Sequence, residues 1–204
     1  MLVGARMTYP VITIGPRATL DAAKELIVKE DVHSLPVVDR QGRLMGLITR
    51  DMLEEALQNP QPTENPEPLV EDIMTQQVLT VTENTPIEEA ARIITDYDVN
   101  SLPVVRGNFV VGIISAISLI RILLELTGAR KQGIRITIMI SDVPGKLLPV
   151  LQKIADMNAS ISTISTYCSE EKGYRVLTLK IADADKYQLK QELTPLVHKI
   201  IDIR

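Results

Sequence analysis

Side chains able to do covalent chemistry are sparse in this chain of 204 residues, which has one cysteine, Cys168, and two histidines, His33 and His198. The histidines stand 165 residues apart with no cysteine or acidic cluster beside either. Each therefore reads as a surface or strand residue rather than a metal ligand. Cys168 has no histidine near it in sequence and reads as an inert thiol. With no nucleophile–base pair and no metal cluster, an enzyme is the least favoured reading. The remaining residues offer binding chemistry. Thr49 with Asp51, and Ser115 with Ser118, put hydroxyls and a carboxylate where helices are expected to begin. Thr49 and Ser115 would cap those helices with or without a ligand, and Asp51 would favour the helix dipole. In Asp142-Val143-Pro144-Gly145, the glycine lets a ligand approach the backbone, a helix start supplies unpaired N–H groups, and Pro144 suits a first helical turn. The same four residues serve equally well as a plain strand-to-helix turn. Arg17, Arg40, Arg43 and Arg50 could form a phosphate-attracting rim, with solvated arginines the default.

The elements that would position these residues come from a duplication. Ser34-Leu35-Pro36-Val37-Val38 returns as Ser101-Leu102-Pro103-Val104-Val105, 67 positions later, and the match runs upstream to Met7-Thr8 and Met74-Thr75. Thirteen of the 32 positions from Met7 to Val38 are identical at that offset. A repeated unit unable to close a core alone implies a pseudo-symmetric pair with a cleft between its halves. In the first copy, Val11 to Ile14 reads as a strand and Ala18 to Glu30 as an amphipathic helix starting at Thr19. Strands Leu35 to Val38 and Leu44 to Ile48 follow around a hairpin turn, then a helix from Asp51 to Leu57. The second copy repeats this with strand Val78–Val81, helix Pro86–Asp98, strands Leu102–Val105 and Phe109–Ser115, and helix Ala116–Leu126. That last helix is apolar nearly all round and needs cover on several sides, from the other repeat and from a third domain or a second subunit.

Between the copies, Gln58 to Pro68 holds four of the chain's twelve prolines among Gln, Asn and Glu. It reads as a mobile linker, with an ordered loop over the domain as the alternative. After the glycine signal Thr127-Gly128, a third region lacks the repeat. Strands Ile134–Ile140, Ser160–Tyr167, Tyr174–Ile181 and His198–Ile203 interleave with helices Lys146–Met157 and Asp185–Leu193, a ferredoxin-like βαββαβ order. The expected divisions are residues 1–58, 59–68, 69–128 and 134–204, in an α/β (α+β) chain.

Composition sets the outer limits. Hydrophobic residues make up 45% of the chain and aromatics 3%, with no Trp, so the cores are aliphatic. A net charge of −4 without a basic block weighs against nucleic acid as a partner. Residues 1–6 lack an apolar signal core, and no stretch reaches the roughly 18 apolar residues of a membrane span. With no disulfide framework, a soluble cytoplasmic protein without a membrane partner is expected.

The repeated Met-Thr, the Val-x-Ser-Leu-Pro-Val-Val strands and Gly46-Leu47-Ile48-Thr49-x-Asp51 resemble the CBS domain, and the tandem resembles a CBS pair of two βαββα repeats. Arg135 to Arg204, with its Asp142-Val143-Pro144-Gly145, resembles an ACT domain. The order CBS-CBS-ACT is similar to the acetoin-utilisation protein B-like family and covers essentially the whole chain.

The resemblance implies allosteric regulation by small molecules, with no catalysis and no required cofactor. CBS pairs hold adenosine-containing ligands in the inter-repeat cleft, here AMP or ATP, NAD, or S-adenosylmethionine. The implied contacts are Val11 and Thr13, the Leu35-Pro36 and Leu102-Pro103 strands for adenine, Thr49 or Ser115 for phosphate, and Asp51 or Ser118 for ribose. In the family the ribose acid follows the hydroxyl by three residues. Asp51 follows Thr49 by two, a turn of about 200° where three residues turn about 300°. Ser118 keeps the spacing without the acid. The ACT resemblance implies an amino acid effector at a dimer interface, between Asp142 to Gly145 and Asn158, Ser160 and Ile161. Family members often carry Asn where Ser160 stands, and Pro149 falls inside the expected helix and removes a donor. A homodimer or higher homo-oligomer through CBS and ACT faces, acting on a regulated protein, is the implied assembly. The competing reading is an assembly protein with degraded pockets.

Overall fold

The structure, a computed structural model, describes residues 1–59 and 68–204, so the linker expectation for 59–68 falls almost wholly on residues outside those described. Two compact units result, residues 1–120 and 121–204.

In the first unit, helix α1 (Leu20–Lys29) leads to hairpin β1 (Ser34–Val38) and β2 (Leu44–Thr49), then helix α2 (Arg50–Gln58). After a single turn α3 (Val70–Ile73), the second copy gives α4 (Ile87–Asp96), β3 (Ser101–Arg106) and β4 (Phe109–Ser115); α5 (Ala116–Leu126) follows, its residues divided between the two units. Thr19 caps α1 as expected, its hydroxyl accepting from the Ala22 N–H at 3.2 Å. The duplicated Asp31-Val32 and Asp98-Val99 end α1 and α4. Both aspartates take φ +51°, and the N–H of Val32 and Val99 bonds back to Ile27 and Ile94, closing each helix in the same way.

Two expected strands are absent as strands. Val11–Ile14 and Val78–Val81 each shrink to one parallel bridge, Ile14 with Val37 and Val81 with Val104. The cause is the repeated proline. Pro36 and Pro103 accept from Ile14 and Val81, but have no N–H to donate one step further back, so the parallel ladder stops.

The lead-in segments cross over. Residues 1–8 pair with the second repeat: Val3 N–H to Thr85, Gly4 N–H to Glu83, and Thr8 with Ile113 in both directions. Residues 68–75 do the same on the first repeat: Val70 N–H to Ala18, Glu71 N–H to Pro16, and Thr75 with Leu47 in both directions. Val70 is fully buried in the first repeat's core with Leu20, Ile27, Leu35, Ile48 and Leu53. Fully burying one such side chain contributes about 1.5–3 kcal/mol. The duplicated methionines then meet the duplicated glycines crosswise. A Cβ at Gly46 would lie 2.6 Å from Met74 Sδ and 2.9 Å from the Thr75 carbonyl, and one at Gly112 would collide with Met7.

The second unit carries β5 (Ile134–Ser141), α6 (Leu148–Asp156), β6 (Ser160–Cys168), β7 (Tyr174–Ala182), α7 (Lys186–Leu193) and β8 (Lys199–Ile203). Its antiparallel sheet has the order β6-β7-β5-β8, the ferredoxin-like arrangement, over a core of Ile136, Ile138, Ile154, Leu177, Leu179 and Leu189. Helix α6 starts at Leu148, two residues later than expected. Pro149 is therefore in its first turn, where the missing N–H costs no helical bond, and Pro144 lies in the preceding turn rather than in the helix. No helix among the described residues is long and apolar enough to cross a membrane.

Gly46→Ala should lower the unfolding free energy by about 1–3 kcal/mol, because the new methyl group meets the Thr75 carbonyl as well as a movable sulfur. Urea denaturation checks this, and an unchanged midpoint would refute the crossed packing at that strand.

Candidate functional site

The two repeats meet at their shared serine. Ser34 Oγ and Ser101 Oγ are hydrogen-bonded at 2.7 Å, both nearly buried, so the pseudo-twofold axis runs between them. A second self-contact lies further along, where Arg43 bridges Phe109, its own counterpart in the other hairpin. Antiparallel register sets Thr49 opposite Ser34 and Ser115 opposite Ser101. The two helix starts therefore flank the axis, which no spacing within one repeat revealed. The signal that could have found the pair was the exact 67-residue duplication of the serine.

Both hydroxyls cap their helices. Thr49 Oγ1 accepts from the Met52 N–H at 3.3 Å, and Ser115 Oγ accepts from the Ser118 N–H at 3.2 Å. Ser118 also bonds Ser115, Oγ to Oγ, at 3.0 Å, so the second repeat's hydroxyls satisfy each other. Asp51 is exposed in the first turn of α2. Leu35 and Leu102 are wholly buried, and Pro36 and Pro103 are buried with them. Val11 and Thr13 are half-buried. Of all these residues, only Thr13 lines the 670 Å³ cavity of this unit, whose other walls are Ile14 to Ala18 and Val38 to Arg40. That cavity sits at the hairpin end of β1, away from Thr49. A smaller cavity of about 290 Å³, between α1 and α2, is lined by Lys24, Asp31, Arg50 and Glu54. Arg50 is the one cation of the expected rim held inside: it donates to the Val32 carbonyl at 3.2 Å, while its buried Nε has no partner.

In the second unit, Asp142, Val143, Pro144 and Gly145 form an exposed turn with Gly145 at φ +82°. Arg175 occupies the Asp142 carboxylate, with Nε at 2.9 Å from Oδ1 and Nη2 at 3.4 Å from Oδ2, and its Nη1 reaches Thr166 Oγ1. That hydrogen bond, against some desolvation, holds the Asp142 carboxyl below the usual carboxylate range. Asn158, Ser160 and Ile161 are not near this turn. Ser141 pairs with Tyr174 at one end of β7, and Ser160 with Ala182 at the other. Eight strand steps separate the ends, about 26 Å. One chain therefore does not assemble the expected effector site. A 690 Å³ cavity beside Gly145 is lined by Leu148, Pro149, Leu151, Gln152 and Ala155 of α6.

His33 and His198 are both exposed; His198 stacks on Tyr174 at 4.2 Å and lies 3.7 Å from Glu171. Cys168 is free and exposed. Among the described residues, no group of three or more His, Cys, Asp or Glu is placed to hold a metal ion.

A pseudo-symmetric pair of crossed repeats, joined at a shared serine with a helix start on either side, defines a tandem-repeat α/β module. The CBS domain profile matches residues 3–59 and 70–125, more than half of the chain, and the chain belongs to the CBS domain family. The CBS pair of protein MJ0100, solved with 5′-methylthioadenosine and S-adenosyl-L-methionine, is 30% identical with a TM-score of 0.56, covering 64% of this chain and 98% of that one. Protein CBSX2, solved with AMP, is 30% identical with a TM-score of 0.53, covering 60% and 96%. A Vibrio cholerae protein assigned to acetoin utilization is 25% identical with a TM-score of 0.57, covering 64% and 96%. Among curated relatives, the L-aspartate semialdehyde sulfurtransferase of Methanocaldococcus jannaschii is 31% identical over 116 residues. The match takes in 56% of this chain, which spans only 22% of that enzyme's length.

The Asp142–Arg175 pair gives a pH prediction. A folded pKa below the unfolded value means the pair's stabilisation is present above the ordinary carboxylate range and is lost as pH falls through the folded value. Carbon-detected NMR titration should show Asp142 protonating at lower pH than an isolated aspartate, and Arg175→Ala should return it to the ordinary range.

Proposed function

We propose that this protein is a small-molecule-sensing regulatory module whose CBS pair, residues 1–58 and 69–128, holds an adenosine-containing ligand in the inter-repeat cleft. The observation that carries this reading is the buried Ser34–Ser101 contact, with Thr49 and Ser115 in register beside it at two helix starts. Helix N-termini favour phosphate, and carboxylates accept from sugar hydroxyls. AMP, ATP, NAD and S-adenosylmethionine are the ligands to try. The first repeat is the stronger half, since Asp51 is exposed while Ser118 is spent on Ser115. The adenine would lie against β1 backbone, because Leu35 has no exposed side chain.

Residues 134–204 act as an ACT-like domain that mediates dimerisation more than it binds an amino acid. Arg175 already neutralises the acid that would receive an ammonium group, and the effector residues lie at opposite ends of one sheet. Helix α5 supports a homodimer: Ile117, Ile120, Leu123 and Leu126 are each about half exposed, an apolar face that a second copy could cover. Ligand binding in the cleft would then shift populations of the dimer and so reach a regulated partner. The second reading, an assembly protein with closed pockets, draws on the buried leucines and the self-satisfied Ser115–Ser118 pair.

Thermal unfolding with millimolar AMP, ATP, NAD and S-adenosylmethionine separates the two. At 100 times its Kd, a ligand stabilises by about 2.7 kcal/mol. A raised midpoint with at least one of the four, abolished by Asp51→Ala, supports the sensing reading, and no shift with any supports the assembly reading. An amino acid panel should leave the midpoint unmoved, and a shift there would restore the effector role of Asp142. Light scattering should give a dimer that Leu123→Glu converts to monomer, and a wild-type monomer would overturn the assembly proposed.

A further inference from the structure

The place of the 670 Å³ cavity, at the hairpin end of the first repeat, has an equivalent in the second repeat, and the two places differ in charge. Ile14 bridges Val37 as Val81 bridges Val104, so positions two residues further on correspond: Pro16 with Glu83, and Asp39 with Arg106. In the second repeat that place is closed internally. Arg106 donates three hydrogen bonds of 2.8–3.0 Å to both oxygens of Glu83. In the first repeat the acid is replaced by Pro16, which has no charge, and Arg17 and Arg40 line the walls where the second repeat has Asn84 and Gly107.

Among the described residues, the remaining charges leave these two cations uncompensated. Asp39 also lines the cavity, but its carboxylate accepts from the Gln41 and Arg43 N–H groups at 2.9 Å each and from Arg43 Nε at 2.6 Å. Arg43 thus cancels it. Glu71, whose N–H donates to Pro16, is exposed, lies outside the lining and makes no ion pair among the described residues. Arg17 and Arg40 likewise have no carboxylate partner among the described residues. The loop between them is rigidly held: Pro16 and Ala18 accept from Glu71 and Val70, and Ile14 is tied to both Pro36 and Val38. Gly15 has open space where a Cβ would point, so backbone is accessible there. The volume suits a metabolite-sized ligand.

We propose that this cavity binds a small oxyanion, a phosphate or carboxylate group, which takes the place that the Glu83 carboxylate fills in the second repeat. The site is separate from the cleft beside Ser34, since β1 runs between them and only Thr13 is common to this cavity and the expected nucleotide contacts. It therefore stands or falls independently of the adenosine reading. Charge-assisted bonds from two guanidinium groups supply the attraction, and the preset loop limits the ordering cost.

Calorimetric titration of the full chain with inorganic phosphate, and in parallel with succinate at matched ionic strength, tests this. A saturable event that depends on Arg17 and Arg40 is expected, and whichever anion binds tighter there identifies the oxyanion. R17A/R40A should weaken binding at least about tenfold, as loss of hydrogen bonds to a charged group requires. Its unfolding midpoint should stay unchanged, because both side chains are exposed. Pro16→Glu, which restores the acid of the second repeat, should weaken binding similarly, whereas Asp51→Ala should leave it intact. No saturation by either anion at about 10 mM, or equal affinity in R17A/R40A, would overturn the proposal.

Discussion

Neither repeat closes its own core. The first is completed by Val70, Ile73 and Met74 from the lead-in of the second, and the second receives residues 1–8 through the matching set of backbone bonds. This crossing is the constraint on which the first unit depends. It converts two marginal hairpin-and-helix pieces into one body, because removing either lead-in would expose a hydrophobic floor and strand unpaired amides at once. It also explains why the duplication reaches back to the lead-in segments. Met7-Thr8 and Met74-Thr75 recur together because each methionine packs on the glycine of the other copy, Gly112 or Gly46, and each threonine pairs with the other copy's second hairpin strand, β4 or β2.

With the body fixed in that way, the candidate binding residues are placed by the pseudo-twofold axis. Ser34 and Ser101 meet on it, which sets the helix starts at Thr49 and Ser115 on either side. The two halves are then free to diverge. At the axis end, the first repeat keeps an exposed acid and the second pairs its two serines. At the hairpin end, the second repeat closes on an internal Glu83–Arg106 bridge and the first leaves a cationic cavity. Symmetry of the backbone with asymmetry of the charges suits a molecule that distinguishes ligands at equivalent places.

The second unit shows the same economy of acids. Asp142 stands in the exposed turn after β5, and Arg175 from the adjacent strand holds its carboxylate. A surface pair of this kind contributes little to stability, but it changes what the turn can bind, since a new cation must displace a guanidinium held in a forked geometry.

Local patterns carried far. Helix caps at Thr19, Thr49 and Ser115, the hairpins, and the βαββαβ order of the second unit were all legible, because capping, turn chemistry and apolar period act within a few residues of chain. The repeat itself announced a pseudo-symmetric pair. Other features were decided only by tertiary structure. Val11–Ile14 and Val78–Val81 read as strands from their β-branched runs, and only the direction of the missing proline N–H on the neighbouring strand reduced each to one bridge. The crossed lead-ins, the Ser34–Ser101 contact and the separation of Asp142 from Ser160 depend on which edge meets which, and on antiparallel register counted over whole strands. Those are long-range choices. A sequence states what each residue prefers beside its neighbours, whereas the partner 67 residues away is chosen by the packing of the whole unit.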